Sequence, residues 1–481
     1  MSWEWEERGF ELVVGLEVHA ELKTRTKLFC GCANSFGAPP NTNVCPVCLG
    51  LPGSLPVVNE RAVAHAIALG VALGSTVSSS QFHRKNYFYP DMPKNYQISQ
   101  YDVPICSGGA VVLASGRRIR IERAHLEEDT GKLTHVGGGG RIESAERTLV
   151  DYNRAGVPLL EIVSAPDLRD PEEARAYVQE LRAILVAIGA SDGRMEEGSL
   201  RVDANVSVRP RGTSELRTRV ELKNLNSLRS LGRAIAAEAL RQVELYEAGE
   251  APTQQTRHWD EASGVTVGLR TKETADDYRY FPEPDLPPLL VDPALVEAAR
   301  ERVADLLPSR RREQLAGAVV SDDVRETAIA EGLWPYTKAA LRAGLDATLA
   351  ARRVANELAQ LLGAGAELGA ERFVAVLEAE ARGTLLPQQV REALRLAAER
   401  PDPVEAIIEG IVAETGDAAA LAERVVEEVV AAHPAEWERF VAGDAKVAGF
   451  LVGQVVRQGE GRIPGQVARR ALDARAGRAR P

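Results

Sequence analysis

Two segments of the first half of the chain alternate apolar and polar side chains with a period of two, the mark of strands with one buried face. In 11–21, Leu12, Val14, Leu16 and Val18 fall on one face and Glu17, His19 and Glu21 on the other. In 200–209, Val202, Ala204, Val206 and Val208 point inward, while Arg201, Asp203, Asn205, Ser207 and Arg209 point outward. The stretch Pro210-Arg-Gly-Thr-Ser is a turn, and a further strand is expected from Arg217. Arg219, Glu221 and Lys223 then extend the same polar face.

Near residue 290 the texture changes. A Gly-, Asn-, Tyr- and Pro-rich half gives way to Ala-, Leu-, Glu- and Arg-rich sequence with helical periodicity, which predicts a domain boundary. The Pro-rich stretch 281–288 makes poor helix and poor central strand and reads as an extended closing segment. A second boundary is expected near Pro401-Asp-Pro403, followed by short helices punctuated by Gly443, Gly449 and Gly453. The predicted organisation is an α+β domain over 1–292, a helical domain over 293–404 and a helical tail over 405–481. Gly137 to Gly140 lacks the flanking strand and helix of a phosphate cradle and reads as a loop tip.

A length of 481 residues leaves ample chain for several cores. No apolar run is long enough to span a bilayer, so a cytoplasmic enzyme is expected. The net charge of −11 excludes a protein whose whole surface embraces nucleic acid, yet the charge is uneven: from Lys446 onward eight basic residues face only Glu460 and Asp473. Taken alone, such a tail reads more readily as a solvated end than as a phosphate-contacting surface.

Four of the five cysteines lie within nineteen positions: Cys30-Gly-Cys32, twelve residues, then Cys45-Pro-Val-Cys48. Two short pairs across a loop present thiolates to a tetrahedral Zn²⁺ from two sides, and four thiolates leave no open position, so this zinc is expected to be structural. The chemistry must then lie elsewhere. A carboxylate and an imidazole two residues apart on a strand, as in Glu17 and His19, suit a divalent cation or an acid/base pair. The mixture of Arg, Asp, Asn, Glu and Lys on the 201–223 face suits a site that handles phosphate and metal together. In the acid run 125–132, Glu127 and Glu128 could share one metal only if the chain bends; Gly131 permits a bend nearby. Oxygen ligands with one imidazole and no thiol favour Mg²⁺ or Mn²⁺ over zinc. The aromatic and cationic run from Arg84 to Tyr101 looks like a pocket wall.

Together, Val14-Gly-Leu-Glu-Val-His19, the cysteine cluster, Arg84 to Gln97, Leu126-Glu-Glu-Asp-Thr-Gly-Lys132, Asp151 to Glu161, Asp203-Ala-Asn-Val-Ser207 and Asp277 to Asp285 closely resemble the B-subunit family of the aspartyl/glutamyl-tRNA amidotransferases. Gly449-Phe-Leu-Val-Gly-Gln-Val455 extends the resemblance into the tail. It implies a cradle-shaped mixed or antiparallel sheet, a helical domain and a helical tail that grips tRNA. It implies an ATP- and Mg²⁺-dependent ligase that phosphorylates the side-chain carboxylate of Glu on tRNA(Gln) or Asp on tRNA(Asn). Ammonia from a glutaminase subunit then displaces the phosphate. The implied partners are an amidase-type A subunit and a small C subunit in a heterotrimer, the misacylated tRNA and, in a larger assembly, an aminoacyl-tRNA synthetase.

Carried over position by position, Glu17, His19, Glu127, Glu128 and Glu221 become Mg²⁺-ligand candidates. Glu17, His19 and Glu128, with Lys94 and Arg154 for phosphate or channel-mouth contacts, become the catalytic candidates, and Arg201, Asp203, Arg219 and Lys223 the candidates for holding ATP. The tail departs from the family pattern after Val455, reading Val456-Arg-Gln-Gly-Glu-Gly-Arg-Ile-Pro464, but keeps basic character at Arg457 and Arg462. Two rival readings are a non-catalytic tRNA-binding scaffold and an autonomous ligase using free ammonia. A scaffold has no need for Glu17, His19, Glu127 and Glu128 to converge; glutamine dependence with and without partners separates the second.

Overall fold

A computed structural model describes residues 3–137, 145–271, 278–460 and 462–479. Gly138 to Gly140, Asp277 and Arg480 lie outside these. The chain divides into two compact units, residues 1–314 and 315–481.

The first unit is built on a mixed sheet whose longest strands are the alternating segments. Phe10–Glu21 lies at its centre, paired antiparallel with Leu200–Pro210 on one side and Pro158–Ser164 on the other. Outward from Leu200–Pro210 come Val220–Lys223, Gln255–Asp260 and Val265–Thr271. Outward from Pro158–Ser164 come Arg118–Glu128, Tyr96–Ser99, His83–Asn86 and Phe281–Pro282. All these neighbours run antiparallel except Val220–Lys223 with Gln255–Asp260, which are parallel. The Pro-rich segment does close the sheet as an edge: Phe281 pairs with Arg84 and Pro282 with His83. An edge is where a strand tolerates proline, because no ladder donor is needed on its outer side.

Period-two patterning gives this sheet two different faces. Leu12, Val14, Leu16 and Val18, with Val202, Ala204, Val206 and Val208, are buried at 2% exposure or less. They join one hydrophobic core with the helices Glu60–Leu73, Pro171–Ala187 and Leu228–Glu247. Each helix starts at a side-chain cap, Asn59, Asp170 or Ser227, that accepts from a backbone N–H of the first turn. The opposite face carries the polar set. The final strand of that face begins at Val220, not at Arg217, so Arg219 is an exposed residue before the strand and not a member of it.

The second unit is helical, with one hydrophobic cluster drawn from Leu315 to Ile411 and another from Ala422 to Ala476. The 29-residue helix Val404–Ala432, which follows Pro403, contributes Ile407, Ile408 and Ile411 to the former and Val425, Val426 and Val429 to the latter. This helix differs from the expected short ones: packing on two cores outweighs the modest cost of Gly410 in its interior. Gly443 does punctuate the chain, at φ +97 between two helices, whereas Gly449 and Gly453 lie within Ala445–Gln458. Among the described residues no helix is long and apolar enough to cross a membrane.

Candidate functional site

The antiparallel register brings polar residues of four strands into line. His19 lies opposite Glu161 on one side and Arg201 on the other, and Glu161 lies opposite His125 in turn. His19 Nε2 is 3.4 Å from Glu127 Oε1 and 3.5 Å from Glu161 Oε2; His125 Nε2 is 3.6 Å from Glu161 Oε2. One ligand atom from each of His19, Glu127 and Glu161 falls within 4.8 Å of the others, so the three can close on one ion. Two carboxylates and one imidazole form an oxygen-rich donor set without thiol, of the kind that favours Mn²⁺ or Mg²⁺ over a thiolate zinc site.

Charge in this cluster is mutually held. Burial opposes a charged His19, but Glu127 and Glu161 together outweigh it and raise the imidazole to about 10. Burial also opposes ionisation of Glu161, yet His125 and His19 hold its carboxyl well below the usual range. Burial keeps His125 below its ordinary value despite Glu161.

Beside this cluster the same face alternates in sign. Glu17 accepts from Asn205 Nδ2 at 2.9 Å. Lys223 Nζ is 2.5 Å from Asp203 Oδ2 and 3.3 Å from Glu221 Oε1, and Glu221 also accepts from the Thr256 hydroxyl at 2.8 Å. Asp129 is clamped by Arg201 and, at 3.4 Å, by Arg154. Arg154 also donates to the carbonyls of Thr130 and Gly131, at 3.0 and 2.9 Å, and so pins the end of the acid run. Burial, and then the nearby Asp129, push Glu21 up to about 7. Arg219, with Glu17, Asn205 and Ser207, lines a cavity of about 200 Å³ beside the sheet.

Glu128 departs from expectation. The strand runs without a bend through Glu127 and Glu128, paired with Leu159 and Pro158, so successive side chains leave on opposite faces. Glu128 is therefore not brought to the His19 cluster. It forms a buried ion pair with Lys94 and accepts from the Ile98 N–H at 2.8 Å. This pair lines a separate cavity of about 200 Å³ whose wall includes Cys30, Cys48 and Gly50. Gly50, at φ +66, sits so close that a side chain there would collide with Lys94 Cβ. Glu161 is the residue that sequence reasoning passed over. Its signal is a single acid inside the apolar strand Pro-Leu-Leu-Glu-Ile-Val-Ser, a charge that only a functional or paired setting accommodates.

The four cysteines converge. Sγ atoms of Cys30, Cys32, Cys45 and Cys48 lie within 4.8 Å of one another, and all four are free thiols. The Cys45 N–H donates to Cys48 Sγ at 3.1 Å, as in a metal knuckle. The shared protons are unevenly placed: hydrogen bonding to Cys48, reinforced by burial, raises Cys30. The Cys48 thiol, favoured by Cys30 and Cys45 and by the charge of Lys27 despite burial, falls to about 5. Tetrahedral zinc needs all four as thiolates at about 2.3 Å, and this donor set fits it.

Comparison with known proteins places both units of the chain in a family. Residues 12–297 match the model of the GatB/GatE catalytic domain, and residues 336–475 match that of the GatB domain. A protein of an Anaeromyxobacter species, named as the B subunit of aspartyl/glutamyl-tRNA(Asn/Gln) amidotransferase, is 48% identical over 475 residues, covering 94% of this chain and 96% of the relative. Proteins of the same name from Carboxydothermus hydrogenoformans and Moorella thermoacetica are 44% and 45% identical, each over 95% of this chain and over 96% and 98% of their own lengths.

Two outcomes follow from the geometry. Protein purified without chelator is expected to contain about one zinc per chain by elemental analysis, and Cys48→Ser to lose it; zinc-free wild type would refute the assignment. At the second site a cation must displace the His19 proton, which is held up to about pH 10. Mn²⁺ affinity should therefore rise with pH towards 10, and titration calorimetry at pH 8 in buffers of different ionisation enthalpy should show about one proton released per ion. His19→Gln should abolish that release.

Proposed function

The chain belongs to the GatB/GatE family, the B subunits of a glutamine-hydrolysing ligase, and we propose that its polar sheet face activates the side-chain carboxylate of Glu-tRNA(Gln), Asp-tRNA(Asn) or both. The observation that carries this reading is the convergence of His19, Glu127 and Glu161 on a face where Arg201, Lys223 and Arg219 supply positive charge.

A carboxylate is a poor electrophile because its charge is delocalised and oxide is not a leaving group. Transfer of the γ-phosphoryl group of ATP to a carboxylate oxygen releases ADP and leaves a mixed anhydride. Ammonia then adds to the acyl carbon, the carbon–oxygen bond to phosphate breaks and nitrogen loses a proton, giving the amide. A divalent cation held by His19, Glu127 and Glu161 would neutralise charge on the transferring phosphoryl group. Lys223 and Arg201, steadied by Asp203 and Asp129, would supply the positive charge that meets phosphate oxygens. Glu161 takes its place as a third ligand beside His19 and Glu127, while Glu17 and Glu221 flank them as further candidates.

Lys94 and Glu128, in their own buried cavity across the strand, are proposed for the mouth by which ammonia arrives from an amidase-type A subunit, with a small C subunit bracing the pair. The domain limits 1–292, 293–404 and 405–481 are kept as the proposed division of labour, with the tail from residue 405 supplying tRNA affinity. Its Arg469 and Arg475 pair with Asp473 and Glu427, whereas Arg457 is exposed on the Ala445–Gln458 helix and Arg462 lies 3.7 Å from Glu460.

In the assembled complex, Glu127→Gln and Glu161→Gln should abolish ATP-dependent activation of the misacylated tRNA while leaving glutaminase activity largely intact. Near-wild-type transamidation by either would refute the site and favour a scaffold. Glu128→Gln should impair the reaction with glutamine more than that with added ammonium. For the tail, Arg457→Ala and Arg462→Ala should each shallow the slope of log affinity for tRNA against log salt by roughly one unit. They should raise KM for tRNA at little-changed kcat.

A further inference from the structure

A lysine that reaches the cysteine cluster is not on the surface. Lys27 is fully buried, at 0% exposure, and is among the largest such side chains of the protein. A buried ammonium needs an anion or a set of hydrogen bonds to offset its lost hydration. Its Nζ lies 3.7 Å from Cys48 Sγ and 3.3 Å from the Tyr152 carbonyl oxygen. A carbonyl offers only a partial charge, and the neighbouring acid Glu128 is engaged by Lys94. Among the described residues, the anionic centre that Lys27 Nζ contacts is the sulfur cluster, through Cys48 Sγ. Four thiolates around Zn²⁺ carry a net charge of minus two, so a single cation at this distance still leaves the centre negative.

The position of Lys27 is fixed from both ends. Its backbone N–H donates to the Cys32 carbonyl at 3.0 Å, which is part of the first cysteine turn, and its carbonyl accepts from Asn59 Nδ2 at 3.1 Å. Gly156, at φ +84, packs against the same group: a Cβ there would touch Cys48 Cβ at 3.4 Å, Lys27 Cδ at 3.6 Å and Glu128 Oε2 at 3.8 Å, all ordinary contacts. The Tyr152 carbonyl belongs to the same turn, two residues before Arg154. One ammonium thus joins a metal ligand to the turn that carries Arg154 and borders Glu128.

We infer that Lys27 is a positioning residue of the zinc centre, the buried counter-cation of its thiolates and a hydrogen-bond donor to Cys48 Sγ. Hydrogen bonds from outside the ligand shell orient thiolates and draw charge from sulfur, so their loss weakens the metal and alters its electronic spectrum. This goes beyond the activity proposed above and does not depend on it.

The test uses the full-length chain copurified with its partner subunits. Lys27→Met, close in length but uncharged, should weaken zinc in chelator competition by about 10–100-fold. In the cobalt-substituted protein it should move the sulfur-to-cobalt charge-transfer band to lower energy, a change that looser packing alone does not produce. Lys27→Gln, which keeps a donor but no charge, should weaken zinc while moving the band less, and it serves if the Met variant does not fold. Zinc affinity within about twofold of wild type, with an unmoved band, in whichever variant folds would overturn the inference.

Discussion

Everything in the first unit depends on the register between Phe10–Glu21 and Leu200–Pro210. Eleven residue pairs, from Phe10 with Pro210 to Ala20 with Leu200, hold both strands to one phase. Because side chains alternate, this phase sends Val14, Leu16 and Val18 to the core and Glu17, His19 and Glu21 to the polar face. A slip of one residue would put an imidazole and two carboxylates against the helices and strand the valines in water. The hydrophobic effect therefore sets the geometry of the charged face, although no charged residue contributes to it directly.

That face survives burial because its charges neutralise one another locally. Asp129 is clamped between Arg201 and Arg154, Lys223 sits between Asp203 and Glu221, and His19 sits between Glu127 and Glu161. Ion pairs of this kind, a buried acid such as Asp129 against a part-exposed cation such as Arg201, contribute little net stability, since desolvation of the acid and screening of the cation consume most of the attraction. They make poor struts. Their effect is that each cation and each acid is held in place, so a ligand bound there would meet groups that need little reorganisation.

Much of this was legible in the sequence for a physical reason: strand alternation is a local property. It assigned Glu17, His19, Arg201 and Asp203 to a shared face, and the spacing of Cys30, Cys32, Cys45 and Cys48 announced their convergence. What stayed hidden was non-local. Glu161 joins His19 through a pairing across some 140 positions, and nothing near either residue reports that register. Glu128 looked like a companion of Glu127 because the two are neighbours in the chain, and the straightness of the strand is what separates them. The length of Val404–Ala432 was missed because two separate cores support one helix, a tertiary effect that overrides local composition.

The separation of Glu127 from Glu128 also bears on inheritance. The two acids are consecutive residues whose side chains leave on opposite faces, one beside His19 and the other beside Lys94. An insertion or deletion of one residue upstream in that strand, between the core contacts and these acids, would exchange their destinations while leaving the composition almost unchanged. Point substitutions there damage one compartment at a time; a change in length damages both. The strand is thus a segment whose length is constrained more tightly than its individual residues.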